Sequence, residues 1–294
     1  MYTSHSSPNG FIIVHKPKGI SSFAVIRAAR KALQTKKIGH AGTLDPLAEG
    51  LMILGVNGGT KALSHILLAS KSYRAQMRFG IYSSTGDEEG EKTELPTASF
   101  TLEDFEKIIP QFLGKISQMP PVYSALKING KRACDRVRDG EEVTLTVRTI
   151  EIFKLEISHF DFPTAEIFVE CSSGTYIRSL VQDLGESMGS TAYMTALTRE
   201  SLGNFLLKDA CELDAISWEK VQPFLPEHFA LPTILVSPEQ QKDLFMGRTV
   251  LVNYNTPSQE IPQSCAIFCN GEWMGFGEIQ EGILSPKKML GGDL

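Results

Sequence analysis

Several features that would narrow the search at once are missing from this 294-residue chain. It contains no apolar run long enough to span a bilayer and no basic-then-apolar leader, so a helical membrane anchor is excluded and a cytoplasmic location is expected. Cysteine is sparse. The five thiols, Cys134, Cys171, Cys211, Cys265 and Cys269, are odd in number and scattered, which excludes a disulfide scaffold and leaves reduced structural thiols as the expectation. The six histidines do not complete a ligand set around them, so no metal is expected. Nor is there a glycine-rich phosphate loop, so no nucleotide or other cofactor is expected.

Acid is missing too, but only locally. Asp45 is the first carboxylate in the chain, and seven cations precede it: Lys16, Lys18, Arg27, Arg30, Lys31, Lys36 and Lys37. Residues 1–80 carry eleven Lys and Arg against Asp45 and Glu49 alone, while the whole chain has a net charge of -5. One basic face on an acidic body suits a polyanion, because affinity for phosphates follows local counterion release and not net charge. A solvated basic face without a partner would have the same composition.

What is present centres on Gly39–Leu54. Gly39 and Gly42 can take positive φ, Pro46 fixes φ just after Asp45, and Pro46 also pushes Asp45 towards extended geometry. The aspartate is therefore expected on a constrained turn, either as a loop opener or as a functional carboxylate. Around it, Phe11–His15 and Leu51–Val56 read as buried strands. Ser21 or Ser22 can cap a helix with Phe23, Ile26 and Leu33 on one face and Arg27 and Lys31 on another. Residues 72–79 alternate, placing Tyr73, Ala75, Met77 and Phe79 inward and Arg74, Gln76 and Arg78 outward. The acidic stretch 83–97 reads as a mobile loop, Thr101 as the cap of a helix, and residues 143–147, 150–159 and 165–171 as strands. A helix opens after Gly174-Thr175 with Ile177, Leu180, Val181, Leu184 and Met188 inward, leaving Tyr176 and Arg178 in its first turn. A cation there opposes the helix dipole unless a carboxylate meets it. Asp45 is the natural partner; solvent, Asp183 or Glu186 are the alternatives.

The run His40-Ala41-Gly42-Thr43-Leu44-Asp45-Pro46-Leu47-Ala48-Glu49-Gly50-Leu51 resembles the catalytic-aspartate motif of the TruB-type tRNA pseudouridine synthases. The same resemblance extends through Lys16-Pro17-x-Gly19-x-Ser21-Ser22, Lys71-x-Tyr73, Thr85-x-Asp87-x-x-Gly90, Pro120-Pro121-x-Tyr123-Ser124-Ala125-x-Lys127 and Gly174-Thr175-Tyr176-Ile177-Arg178-Ser179-Leu180. Cys134 stands where the family usually has tyrosine, and Gly59 where it usually has alanine. The resemblance implies an α+β fold, a mixed and largely antiparallel sheet flanked by helices. It implies a catalytic domain over residues 1–235. A weaker likeness, in Phe245-x-Gly247-Arg248, Gly275, Gly277 and Leu284-Ser285-Pro286-Lys287-Lys288, implies a small PUA-like RNA-binding β domain over 236–294; a purely structural β cap fits the same residues.

The family likeness implies a role for each site residue. Asp45, Tyr73 and Arg178 would be catalytic, while His40, Lys16, Tyr176 and Leu197 would bind substrate. The partner would be tRNA, through its T-loop and stem, and the protein would act as a monomer. Turning uridine into pseudouridine involves neither redox change nor hydrolysis, so one carboxylate without a cofactor can suffice. The uridine must leave its stack, at a cost of a few kcal/mol, and stacking on Tyr73 would return about 1–3 kcal/mol. A non-catalytic tRNA-remodelling protein would use the same basic face and flipped base. The related guide-RNA-dependent synthases usually carry longer basic extensions, and a hydrolytic glycosidase would need a second carboxylate, for which Glu49 is the nearby candidate.

Overall fold

The computed structural model describes residues 8–122, 127–128, 131–132, 145–254 and 263–290. The chain opens with β1 (Gly10–Lys16) and α1 (Ser22–Leu33). The helix starts where the Ser21 hydroxyl accepts from the Ala24 amide at 3.2 Å, and ends at Gln34 in the left-handed conformation. Its buried stripe is Ser22, Val25, Ile26, Ala29 and Leu33. Phe23, expected on that stripe, is 57% exposed with Arg27 over its ring, because a residue four positions on lies almost directly above it.

There follow β2 (Ile38–His40), β3 (Glu49–Val56), a 3-10 turn over Asn57–Lys61, α2 (Leu63–Ile66), β4 (Lys71–Phe79), and the hairpin β5 (Ile81–Ser83) with β6 (Lys92–Glu94). Next come α3 (Leu102–Ile108), capped by reciprocal bonds between Thr101 and Asp104, then β7 (Gly114–Gln118), β8 (Lys127–Ile128), β9 (Lys131–Arg132), β10 (Arg148–Asp161) and β11 (Thr164–Cys171). The body closes with α4 (Ile177–Ser187), β12 (Ala192–Leu202) and β13 (Phe205–Leu206). Tyr123, Ser124, Ala125, Cys134 and Val143 lie outside the described residues. Of the strand expected over 143–147, the described part, 145–147, carries no regular structure.

Nine of these strands make one sheet in the order β1-β3-β12-β4-β11-β10-β7, with β2 on β3 and β13 on β12. All its pairs are antiparallel except β3 with β12, which run parallel through Thr198 opposite Glu49 and Arg199 opposite Gly50. The mixed, largely antiparallel sheet flanked by helices is thus the expected α+β architecture. Ile12 and Val14 of β1 face the core beneath α1 and α4, while Phe11 and Ile13 face the other way into a second apolar cluster. A strand buried on both faces reads as an unbroken apolar run, which is how β1 appears in the sequence.

The second cluster joins the body to a smaller five-stranded sheet. That sheet contains β14 (Thr233–Leu235), β15 (Val250–Leu251), β16 (Gln263–Cys269), β17 (Glu272–Gln280) and β18 (Ile283–Met289), ordered β14-β16-β17-β18-β15, with α5 (Pro238–Phe245) beside it. Because Thr233–Leu235 pair in parallel with Ala266–Phe268, this sheet begins three residues before the expected boundary at 235/236. Phe224, Phe229, Trp273 and Phe276 pack in the shared cluster with Phe11, so the two units are docked through a common aromatic core.

Candidate active site

The turn carrying Asp45 is pinned at both neighbours. The Ser22 hydroxyl donates to the Leu44 carbonyl and accepts from the Leu44 amide, both at 2.8 Å. On the other side the Pro46 carbonyl accepts from the Gly19 amide at 2.7 Å and from the Lys16 ammonium at 3.4 Å. The Lys16 Nζ also donates to the carbonyls of Ile20 at 2.7 Å and Pro17 at 3.0 Å. Lys16 was expected to meet substrate, but it is fully buried and absent from the cavity wall. It ties the 17–20 turn to the aspartate loop, a use that a list of cations cannot distinguish from a phosphate contact. Burial lowers its pKa to about 8, against the opposing pull of Asp45 and Glu49.

Gly50 shows how closely the strands meet here. Its φ is +106°, and a Cβ would run into the backbone of Arg199 on β12. That approach brings β12 alongside β3 and carries Leu197 and Arg199 to the site.

Arg178 stands at the second position of α4, after Tyr176 at the cap with no side-chain capping bond. Its guanidinium reaches Asp45 Oδ2 at 3.0 Å, Asp87 Oδ2 at 3.2 Å and the Thr85 carbonyl at 3.2 Å. The conflict between a cation and the helix dipole is therefore offset by two carboxylates. Asp45 was the partner expected. Asp87 was not, because 83–97 was read as a mobile acidic loop. Instead the segment builds a hairpin around a carboxylate that is only 3% exposed. Asp87 accepts from the Thr85 hydroxyl and from the Glu89 amide at 3.1 Å, while its carbonyl accepts from the Ser83 hydroxyl at 2.6 Å. The Thr-x-Asp spacing was the available signal, since such residues bond locally and shape turns.

A cavity of about 520 Å³ opens over Asp45. Its wall includes His40, Asp45, Tyr73, Tyr176, Arg178 and Leu197, so six of the seven expected site residues share one cavity. Tyr73 is 8% exposed, on the inward side of β4 as its alternation required. Burial raises its pKa, against the opposing pull of the Arg199 guanidinium. The group is thus a phenol and not a phenolate near neutral pH. Arg199 is wholly buried; its Nε donates to the Leu51 carbonyl at 2.8 Å and a terminal nitrogen to the Gly42 carbonyl at 3.2 Å. It ties β12 to the aspartate loop, a role that nothing local in the sequence around Arg199 reveals. Lys71, also in the wall, has its pKa lowered by burial to about 8. Tyr176 is held by the buried Gln118 side chain, which accepts from the Tyr176 amide at 2.8 Å and donates to its carbonyl at 3.0 Å.

The chemistry open to this arrangement is that of a single carboxylate. Asp87 is engaged by Arg178 and the Thr85 hydroxyl, and Glu49 accepts from Thr198 at 3.2 Å outside the wall, so among the described residues no free acid–base pair flanks the space. Among the described residues, no cluster of three His, Cys, Asp or Glu is placed to hold a metal. None of the described helices is long and apolar enough to cross a membrane.

Residues 30–177 match the family described as TruB family pseudouridylate synthase (N terminal domain). The chain is 40% identical over 251 residues to the tRNA pseudouridine synthase B of Corynebacterium diphtheriae, an alignment covering 82% of this chain and 84% of that protein. Its identity to the protein of the same name from Azoarcus sp. is 34% over 291 residues, covering 96% and 95%. Among solved structures, a chain of a Cbf5-Nop10-Gar1 complex superposes with a TM-score of 0.74 at 21% identity, covering 96% of this chain and 84% of that one. At that identity the likeness is one of fold.

Proposed function

This chain belongs to the TruB family of pseudouridylate synthases, and we propose that Asp45 is its catalytic carboxylate and the T-loop uridine of tRNA, conventionally numbered 55, its target. As a member of that family it converts uridine to pseudouridine in tRNA. The N-glycosidic bond breaks, the base turns, and C5 is joined to the ribose in place of N1, with the C5 proton lost and N1 left carrying a proton. The observation that carries Asp45 into this role is its ion pair with Arg178. A carboxylate open to the cavity on one side is gripped at 3.0 Å by a guanidinium that is itself only 7% exposed. A buried planar fork fixes orientation as well as charge.

The other wall residues take complementary parts. Tyr73 offers a ring face for the extruded uracil in a cavity wall that also includes Arg199. Leu197 closes the apolar side, Tyr176 is presented by Gln118, and His40, at the end of β2, faces the space the base vacates. Lys31, Lys36 and Lys37 are exposed and lead into β2, which makes them the phosphate contacts beside the cavity. The C-terminal β domain extends the RNA-binding surface. The protein acts as a monomer, and its tRNA substrate supports a cytoplasmic location.

The test uses pure protein with a full tRNA transcript and with an isolated T-arm, mapping pseudouridine and measuring RNA affinity in parallel. Asp45→Asn should bind tRNA normally and fail to turn over, and wild-type turnover should persist in EDTA. Normal isomerisation by folded Asp45→Asn would remove the carboxylate assignment; pseudouridine confined to other tRNA positions would remove the T-loop assignment.

A further inference from the structure

One short element stands between the cavity and the C-terminal β domain. α2 has four residues, Leu63–Ile66, too few to hold a helix by propensity alone, so its position depends on outside anchors. Two of these come from the C-terminal domain. The His65 ring stacks on Phe276 of β17 with centroids 3.7 Å apart and planes 29° from parallel. Just upstream, the Lys61 ammonium donates to the Met289 carbonyl of β18 at 2.7 Å. The surface they meet is firm, since Phe276 is 3% exposed and packs against Phe229 and Trp273 at 5.2 and 5.1 Å. Burial, and then the charge of Lys288, lowers the pKa of His65, so a neutral ring makes the stack.

In the other direction α2 runs straight into the mouth of the cavity. Leu67 and Leu68 follow it, line the cavity, and are 41% and 69% exposed. Their amides bond back to the helix, Leu67 to the Leu63 carbonyl at 2.9 Å and Leu68 to the His65 carbonyl at 3.2 Å. The buried Lys71 ammonium donates to the carbonyls of Leu67 and Ala69, both at 2.8 Å. The two leucines therefore move with α2. They present an exposed apolar lip at the cavity wall, where it can pack against a base or ribose next to the extruded uridine.

We propose that His65 and Lys61 are positioning residues through which the C-terminal β domain sets the Leu67–Leu68 lip of the cavity against the bound RNA. The part played by RNA rests on the uridine-binding reading above; the mechanical part does not.

Hydrogen exchange tests the mechanical part without any substrate. In His65→Ala and in Lys61→Met, amides 67–69 should exchange about tenfold faster, while those of the Asp45 turn keep their wild-type rates. His65→Phe, which keeps a ring over Phe276, should restore protection. Unchanged exchange at 67–69 in His65→Ala overturns the proposal whatever the enzyme does to RNA. For the RNA part, His65→Ala and Leu68→Ala should each raise KM for tRNA about three- to tenfold with kcat little changed. The double variant should be no worse than Leu68→Ala alone, because the strut acts only through the lip. Multiplying losses, or a normal KM in Leu68→Ala, would overturn that part, while the Asp45→Asn comparison independently decides the catalytic reading.

Discussion

Ser22 and Leu44 exchange two hydrogen bonds of 2.8 Å through a single hydroxyl, and that exchange decides where the Asp45 carboxylate stands. Ser22→Ala would leave a buried amide and a buried carbonyl unpaired, costing about 1–3 kcal/mol of stability. The expected outcome is a folded protein with near-normal tRNA affinity whose turnover is about tenfold lower, since small misplacements of a reacting group are expensive. Denaturant unfolding and single-turnover kinetics check both halves; unchanged turnover would mean the turn holds its shape without Ser22.

Asp45 and Asp87 share Arg178 but differ in burial, at 41% and 3% side-chain exposure. Asp87→Asn leaves a buried guanidinium short of charge and should cost on the order of 3 kcal/mol of stability. Asp45→Asn, at the open end, should stay within about 1 kcal/mol of wild type while abolishing turnover. Equal unfolding midpoints for the two variants would show that burial does not separate their roles.

Asp183 on α4 has its pKa raised from 3.8 to about 6, first by burial and then by Glu186. Between those values the folded chain keeps a proton that the unfolded chain has released, so this group's contribution to stability falls as pH rises through the window. Above it the charged form is a standing cost. Asp183→Asn should therefore raise stability at about pH 7 by on the order of 1 kcal/mol after allowance for solvent screening, with the gain shrinking towards about pH 4. Melting temperatures of both proteins across that range provide the check; a gain that grows on acidification would reverse the sign.

Lys31, Lys36 and Lys37 are exposed, whereas Arg30 is half-buried and donates to the Ile38 carbonyl at 3.2 Å. Replacing the three lysines with glutamine should flatten the log–log salt dependence of tRNA binding by roughly 2–3 if each meets one phosphate. The acidic pI of 5.8 should not prevent a steep wild-type slope. A slope unaffected by the triple replacement would place the phosphate contacts elsewhere.

How far the sequence reaches can be followed strand by strand. The strand β4 was legible because its residues alternate strictly, and Tyr73 faces inward as that alternation requires. Its neighbour β12 was not, although it lies in the middle of the sheet and carries Leu197 and Arg199. Bulges between Met194 and Ala196 and between Arg199 and Ser201 interrupt its period of two, and so hide the strand from any reading of periodicity. The strand β14 escapes the sequence for a related reason: it has three residues, too few to show a pattern, and joins its sheet only by pairing with β16.

By itself the sequence determined the parts. These are one carboxylate on a turn set by Pro46, an inward tyrosine, a basic approach and an arginine whose place on its helix calls for an acidic partner. Local chemistry is enough for these, because φ restriction, alternation and charge need only a few neighbouring residues. Only the tertiary structure decided that Arg178 would join Asp45 to Asp87, that Lys16 would clamp the turn through the Pro46 carbonyl, and that Arg199 would bond to the Gly42 carbonyl of the same loop. The physical reason is range. These bonds join segments far apart in the chain, and which polar groups end up buried together is settled by packing.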